Sequence, residues 1–205
     1  RFDDEVAGTY LDFSGKSNTV HHTNGALVPG ISDLAASGFP TATYQMADSV
    51  SLDLTSAMTI EAWVRLDSLP GGGHVGIIDN DHQYNIFVYA GGLRCSNGIH
   101  TLPDIPVSAG VWFHMACVYD GTILMLYLDG TPVAKMSSTG TMPTTNNNPV
   151  SLLNVSPAFK NPMHGALDNL RVWHSGRTQA QICADAELDC VYTVGLADSW
   201  QSELT

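Results

Sequence analysis

The feature that most constrains this chain is the run from Val111 to Met136, VWFHMACVYDGTILMLYLDGTPVAKM. It carries two Asp-Gly pairs, Asp120-Gly121 and Asp129-Gly130, each set between apolar stretches. Such pairs favour two-residue hairpins, because both central positions of a type I′ turn need positive φ. The run therefore predicts three antiparallel strands joined by tight turns. In the first strand Trp112, His114, Ala116 and Val118 share one face, and Phe113, Met115, Cys117 and Tyr119 share the other, since side chains alternate along a strand. Both faces are largely apolar, so the strand must be covered on both sides, at the centre of a sheet in a two-layer protein. Thr122 to Leu128 reads the same way.

The rest of the chain extends this all-β pattern. Met58 to Leu66, MTIEAWVRL, alternates cleanly: Ile60, Ala62, Val64 and Leu66 face inward, and Thr59, Glu61, Trp63 and Arg65 face the other way. Strands are also predicted at the Arg1-Phe2 start and over Thr41–Met46, Val50–Leu54, Val75–Ile78, Tyr84–Tyr89, Val150–Val155 and Gly165–Trp173. Asp12 to His22 reads as a polar loop turned at Gly15, and Thr23 to Phe39 as irregular. Thr178 to Glu187 reads as a helix, with Thr178 and Gln181 forming a capping box. About a dozen short strands with turn signals and one helix predict an antiparallel β-sandwich or jelly roll. With 205 residues and 44% hydrophobic composition, residues 1–190 can build one cored domain, leaving 191–205 as a tail or linker. No run is long enough to cross a membrane, and no signal peptide is recognisable. The chain opens inside a strand-like segment, so it is expected to be part of a longer, multidomain chain.

Charge narrows the partners. The net charge is −12, with only 8 Lys and Arg. Such a surface repels nucleic acid and anionic membranes and suits calcium or a neutral or basic partner. The four cysteines, Cys95, Cys117, Cys183 and Cys190, include no CxxC and so give no zinc signature. Four cysteines allow three connectivities; Cys95–Cys117 and Cys183–Cys190 is the economical one. Two disulfides imply an oxidising, secreted or cell-surface location.

Several stretches together resemble one family. MTIEAWVRL at 58–66, WFHMACVYDGTILMLYLDG at 112–130, and GALDNLRVW followed by RTQAQI within 165–182 fall in the order seen in laminin-G-like domains. RFDDEVAG and DFSGKSN at 12–18 match the usual opening of those domains. The resemblance is to the pentraxin-related group of the concanavalin A-like lectin/glucanase superfamily. It implies a jelly-roll sandwich of two curved antiparallel sheets. The ligand loops match no relative, and fold does not settle function in this superfamily.

The resemblance also implies candidate sites. A structural calcium commonly ties the N-terminal loop to the last strand in similar domains, which assigns Asp12, Asn18 and Asp168 as metal ligands. Calcium takes six to eight oxygens, and the loop turned at Gly15 offers a carboxylate, an amide and converging carbonyls. Pentraxins hold a ligand-bridging calcium with an Asp-Asn pair at a turn, which points to Asp79, Asn80, Asp81 and His82. They complete that site with a Glu-Gln-Asp run, where this chain has NVSPAFKNP at 154–162 without a carboxylate. A bare hairpin turn is the competing reading. The ligand loops are placed at His74–Gln83 and Pro143–Pro162, with Asn147 as a contact residue.

Other residues read as structural. Glycosidases need two carboxylates flanking the scissile bond; the glucanase Glu-x-Asp-x-x-Glu run is missing, and Glu61 stands alone on its strand as a sheet-surface residue paired with an Arg. His21 and His22 point apart in any extended segment and read as a solvated loop. His114 reads as a hydrogen-bonded core residue. Trp63, Tyr84, Phe87 and Tyr89 read as core aromatics or as a sugar platform. Asn154-Val155-Ser156 is an N-glycosylation sequon.

The sequence thus predicts a secreted, non-catalytic module that binds carbohydrate or an extracellular protein, with a structural calcium. The alternatives are an adhesive spacer in a larger secreted protein and, third, a polysaccharide-cleaving enzyme. Peptide mapping without reduction is expected to recover 95–117 and 183–190 as linked pairs; free thiols or crossed pairs contradict the assignment.

Overall fold

The computed structural model describes residues 2–3, 5–143, 146–156 and 161–190. Among them, the first third of the chain forms β1 (Glu5–Val6), β2 (Thr9–Tyr10), β3 (Val20–Thr23), β4 (Ala26–Pro29), β5 (Leu34–Gly38) and β6 (Thr43–Met46). The middle forms β7 (Met58–Leu66), β8 (His74–Asn80), β9 (Tyr84–Tyr89), β10 (Gly92–Ser96) and β11 (Ile105–Pro106). Then follow β12 (Trp112–Tyr119), β13 (Ile123–Leu128), β14 (Thr131–Ser137), β15 (Val150–Leu152), β16 (Gly165–Trp173) and the helix α1 (Gln179–Asp185). The strands build a nine-stranded sheet, β1-β2-β3-β6-β15-β8-β9-β10-β11, and a seven-stranded sheet, β14-β13-β12-β7-β16-β5-β4. All recorded strand pairs are antiparallel. The architecture is a jelly-roll sandwich.

Alternation along β7 and β12 creates the core. Ile60, Ala62, Val64, Leu66, Met115, Cys117 and Tyr119 pack in one cluster with Ile77, Ile78, Ile86, Val88 and Leu93 of the other sheet. Burying each such side chain contributes on the order of 1.5–3 kcal/mol before the entropy of ordering is counted. Cys95 on β10 is joined to Cys117 on β12 with Cα atoms 6.0 Å apart. Their strands lie in facing sheets and are not neighbours in one sheet. Sheet faces ordinarily sit about 10 Å apart, so the bond marks a place where the two layers close together.

The opposite face of β12 is also covered. Ala116 and Val118 join Tyr127 and Ile182 in a second buried cluster beneath α1. The Thr178 side chain and the Gln181 side chain complete the capping box that starts this helix. The Cys183–Cys190 bond seats the end of the helix on the β13–β14 turn. There Asp129 and Gly130 have φ of 46° and 72°, the two positive values that a type I′ hairpin needs. A Cβ on Gly130 would lie 2.2 Å from the Cys190 Sγ, so this glycine serves both the turn and the packing above it. The first Asp-Gly pair behaves differently. Gly121 has φ of 101° while Asp120 is not in the positive region. The Asp120 Oδ1 accepts from the Thr122 and Ile123 N–H groups, both at 2.8 Å, and this side-chain turn replaces the type I′ geometry.

Four local expectations are corrected. The region Thr23–Phe39, read as irregular, contains the paired strands β4 and β5. Its buried residues are small (Ala35, Ala36, Ser37 and Gly38), and a Cβ on Gly38 would lie 2.1 Å from the Met163 carbonyl oxygen. Pairing with β16 makes this segment a strand; its composition does not. Val50–Leu52 is a short 3-10 turn, with Val50 out in solvent. His21 and His22 lie in β3 and not in a loop; the His22 ring stacks on Tyr10 at 5.0 Å. Trp112, expected in the core, is half-buried at the end of β12, with Arg65 5.3 Å above its ring.

Glu61 is the largest correction. It is fully buried on the α1 side of β7, beside buried His114. Its Oε1 accepts from the Trp173 Nε1 at 2.8 Å, and its Oε2 lies 3.9 Å from the His114 Nε2. The sheet face expected to be exposed is roofed by α1 and the end of β16, which excludes water. Burial pushes the Glu61 carboxyl up to about 7 and the His114 imidazole down to about 4. A carboxyl with a raised folded-state pKa contributes stability below its unfolded value, and that contribution is lost as pH rises through the folded value. Thermal melts between pH 5 and 8 are therefore expected to show the wild type losing stability relative to Glu61→Gln as pH rises. Parallel curves contradict the assignment.

Candidate functional site

The β8–β9 hairpin builds one wall of the candidate site. Asn85, Phe87 and Tyr89 alternate outward from β9, while Tyr84, Ile86 and Val88 are buried. On β8 the register is Asp79 opposite Asn85, Gly76 opposite Phe87 and His74 opposite Tyr89, with a shift between Gly76 and Ile78. A bulge of this kind re-aims the side chains beyond it. Ile77 and Ile78 are both fully buried, and Asp79 reaches the outer side beside Asn85.

The second wall comes from far along the chain. The Asn146 Nδ2 donates to the Asp81 carbonyl oxygen at 2.6 Å, and the Asn148 Nδ2 donates to the Asp81 Oδ2 at 2.7 Å. The Ser156 N–H donates to the Asp79 Oδ2 at 2.7 Å. Gly76 makes this approach possible: a Cβ there would lie 2.1 Å from the Asn154 carbonyl oxygen. Between the walls is a cavity of about 150 Å³ lined by His74, Asp79, Asp81, His82, Asn85 and Phe87. Its size suits one small ring, below the range of drug-sized sites. The Asn85 Oδ1 is buried without a hydrogen-bond partner among the described residues. Burial, helped by the Asp81 charge, pushes the Asp79 carboxyl up to about 6 against the opposing Ser156 N–H and His82. His82 stands at the rim, with φ of 68° and its Nε2 3.5 Å from the Asp81 Oδ1.

An aromatic strip runs outward from the cavity. The His74 and Phe87 ring centroids are 5.2 Å apart. The Arg94 guanidinium lies 5.1 Å from the Tyr89 centroid and 5.5 Å from that of Phe87. Its Nε and Nη2 donate to the two Asp104 carboxylate oxygens, each at 2.6 Å. Of the four aromatics singled out in the sequence, Phe87 and Tyr89 form this strip. Tyr84 is core, and Trp63 belongs to the other sheet, its ring 5.4 Å from His114.

The ligand residues expected from the sequence thus divide. Asp79, Asp81 and His82 meet at the cavity. Asp79 and Asn80 are strand residues of β8, not turn residues. Asn80 is buried, and its Nδ2 donates inward to the Gln83 Oε1. Asn147 is exposed, and its neighbours Asn146 and Asn148 make the contacts to Asp81. Asn85 lies outside the expected ligand loops; His74, Gly76 and Ser156 lie within them but were not singled out. The alternation of NIFVY carried a signal for Asn85; the pentraxin resemblance set segment 154–162 against Asp79–His82, but nothing in the sequence gives the bond from the Ser156 N–H to Asp79. Residues 144–145 and 157–160 of the second expected loop lie outside the described residues, as does the tail 191–205. Asn154 of the sequon is 2% exposed and its Oδ1 accepts from the Val155 N–H, so the folded chain offers no acceptor amide there.

The expected calcium ligands serve separate loops. The Asp12 carboxylate accepts from the Ser14 N–H and hydroxyl and the Asn18 N–H, each at 2.8 Å. Burial pushes this carboxyl up, but these donors outweigh it and hold it below its ordinary value. The Asn18 Oδ1 accepts from the Ser49 and Ser51 hydroxyls. Asp168 is fully buried, which raises its pKa. Its Oδ2 accepts from the Ile31 and Ser32 N–H groups at 3.0 and 3.2 Å, fixing the β4–β5 turn. Loop 12–18 does face the last strand, across a cleft of about 780 Å³ that Asn169 and Leu170 also line. Among the described residues no three His, Cys, Asp or Glu side chains converge as a metal site. As folded, the three residues give most of their oxygens to N–H and O–H donors and fall short of the six to eight that calcium takes.

Two sheets packed as a jelly roll, with a small polar cavity and an aromatic strip on one outer face, define a lectin-like sandwich. A family model of the Concanavalin A-like lectin/glucanases superfamily matches residues 39–183, and the chain belongs to that superfamily. Among curated proteins, pappalysin-1 of Mus musculus is 32% identical over 87 residues, 41% of this chain. The matched stretch is 5% of that protein's length. Among solved structures, domain 4 of AbnA, an extracellular arabinanase of Geobacillus stearothermophilus in complex with arabinotriose, superposes with a TM-score of 0.63 at 18% identity. The match covers 80% of this chain and 82% of that domain. The binding domain of botulinum neurotoxin DC in complex with SialylT gives a TM-score of 0.64 at 13% identity, covering 87% of this chain and 48% of that one. At these identities the solved structures establish the fold alone.

Proposed function

We propose that this chain is an extracellular, non-catalytic recognition module that binds carbohydrate at the cavity between β8–β9 and segment 146–156. The observation that carries this reading is the pairing of the Phe87 ring with fixed polar groups, Asp79, Asp81 and Asn85, at one small cavity. An apolar surface beside a few placed hydrogen-bonding groups is what a small polar ligand needs for both affinity and orientation. The fold is shared with domains solved with arabinotriose and with SialylT. The extracellular location is supported by two disulfides; among the described residues no helix is long and apolar enough to cross a membrane.

The non-catalytic part rests on the carboxyls. Glu61, raised to about 7 and so suited to proton transfer, is sealed under α1 and Trp173. Asp79 and Asp81 are held by Ser156 and Asn148, a rigid arrangement suited to accepting hydrogen bonds from a ligand. Printed glycans are expected to be retained by the wild type. Phe87→Ala and Asp81→Ala are each expected to weaken binding by about tenfold or more, roughly 1.4 kcal/mol, with little change in Tm. Retention of no glycan favours the spacer reading, and release of reducing sugar that disappears in Glu61→Gln overturns the non-catalytic one.

No step of this reading runs through calcium; a structural ion beside Asp12, Asn18 and Asp168, proposed separately, would have to displace the N–H and O–H donors that hold those side chains as folded. A bound ion stabilises by mass action, about 2.7 kcal/mol at a hundred times Kd. If the ion is held there, EDTA lowers the Tm of the wild type and leaves that of Asp168→Ala nearly unchanged; an EDTA-insensitive wild type removes it.

A further inference from the structure

We propose that the cavity at β8–β9 selects neutral, hydroxyl-rich oligosaccharide ends and rejects acidic ones. The proposal rests on the carbohydrate-binding reading above and adds the ligand's charge and polarity.

The first argument is the balance of donors and acceptors. The polar side chains that line the cavity are the Asp79 and Asp81 carboxylates, the Asn85 amide, the His74 and His82 imidazoles at its edge, and the Ser156 hydroxyl, which is spent on the Pro149 carbonyl. The Asn85 Oδ1 is buried and unpartnered among the described residues. A buried acceptor left unpaired is costly, and a hydroxyl donor that reaches it from the cavity removes that cost. Sugar hydroxyls donate to carboxylate and amide oxygens. Ligand carboxylates, sulfates and phosphates have only acceptors to offer, and the buried Asn85 Oδ1 gains nothing from them.

The second argument is charge. An anionic ligand at this cavity meets two carboxylates in a partly desolvated setting, where like-charge repulsion is stronger than in water. The cation of the adjoining strip does not offset it. The Nε–Nη2 edge of the Arg94 guanidinium is taken by Asp104, whose carboxylate offsets the arginine's charge. The flat face of the guanidinium is stacked over Tyr89 and Phe87 and with them forms a planar surface suited to the C–H face of a sugar ring. The whole chain, at −12, adds a repulsive long-range field.

The third argument is extent. Asn85, Phe87 and Tyr89 lie on one outward face of β9. At about 3.3 Å per residue they span roughly 13 Å, a length of two to three sugar rings. The cavity closes one end of the strip, and Tyr89, 43% exposed, lies at the other. The arrangement receives one terminal ring in the cavity and the next one or two along the strip.

The test uses the intact protein and matched glycans: neutral oligosaccharides of one to four rings, and the same cores carrying terminal sialic acid or sulfate. Binding by calorimetry is expected for the neutral series, tightening up to three rings and then levelling. The acidic versions are expected to bind at least about tenfold more weakly, with Asp81→Asn narrowing that gap and Tyr89→Ala abolishing the gain with length. Equal or tighter binding of the acidic versions overturns the charge selection and leaves the carbohydrate reading standing. Binding that does not change with length, or a gain with length that survives in Tyr89→Ala, overturns the strip. Binding of neither series overturns the carbohydrate reading itself.

Discussion

The rest of this structure depends on the burial of β12 on both faces. Met115, Cys117 and Tyr119 face the nine-stranded sheet, and Ala116 and Val118 face α1. A strand apolar on both sides has no solvent-facing alternative, so it fixes the number of layers. The sandwich supplies one cover and the helix the other. The capping box, the Cys183–Cys190 bond and Gly130 all serve to set α1 down at that place. Glu61 and His114 share this roofed face, and their pKa values move apart because water is shut out.

A scaffold held this firmly at its centre can place ligand groups at its rim. The cavity is assembled from the end of β8, the outward face of β9 and a segment about seventy residues later. Three residues of that segment hold Asp79 and Asp81: Asn146, Asn148 and Ser156 donate to them, and Gly76 leaves room for the approach. The result is a pair of carboxylates whose positions are set before any ligand arrives, and preorganisation of this kind lowers the ordering cost of binding. Arg94 is likewise held flat by Asp104, which turns a charge into a surface.

The acidic residues show how one side-chain type acquires different work by location. Asp120 closes a turn, Asp12 closes a polar loop, and Asp168 is buried to hold the β4–β5 turn. Asp104 neutralises an arginine. Among the described residues, Asp79 and Asp81 are the acidic side chains that share the cavity with an aromatic ring and an unpartnered amide oxygen.

By itself the sequence determined the layers, the inward faces of β7 and β12, the capped helix and the type I′ turn at Asp129-Gly130. Periodicity, capping and turn chemistry are local, and they report which residues must be hidden. The resemblance to pentraxins also pointed to Asp79, Asn80, Asp81 and His82, where the residues alone read as a bare hairpin turn. Only the tertiary structure decided that Cys95 and Cys117 face each other across the sheets, that Glu61 is buried, and that Asn80 turns inward. It alone decided that the small-residue segment before Phe39 is a strand, and that Ser156 meets Asp79. Each of these depends on what another part of the chain places opposite the residue. A one-dimensional pattern states that a face is covered; the identity of the cover is fixed only when the sheets, the helix and the far loop have come together.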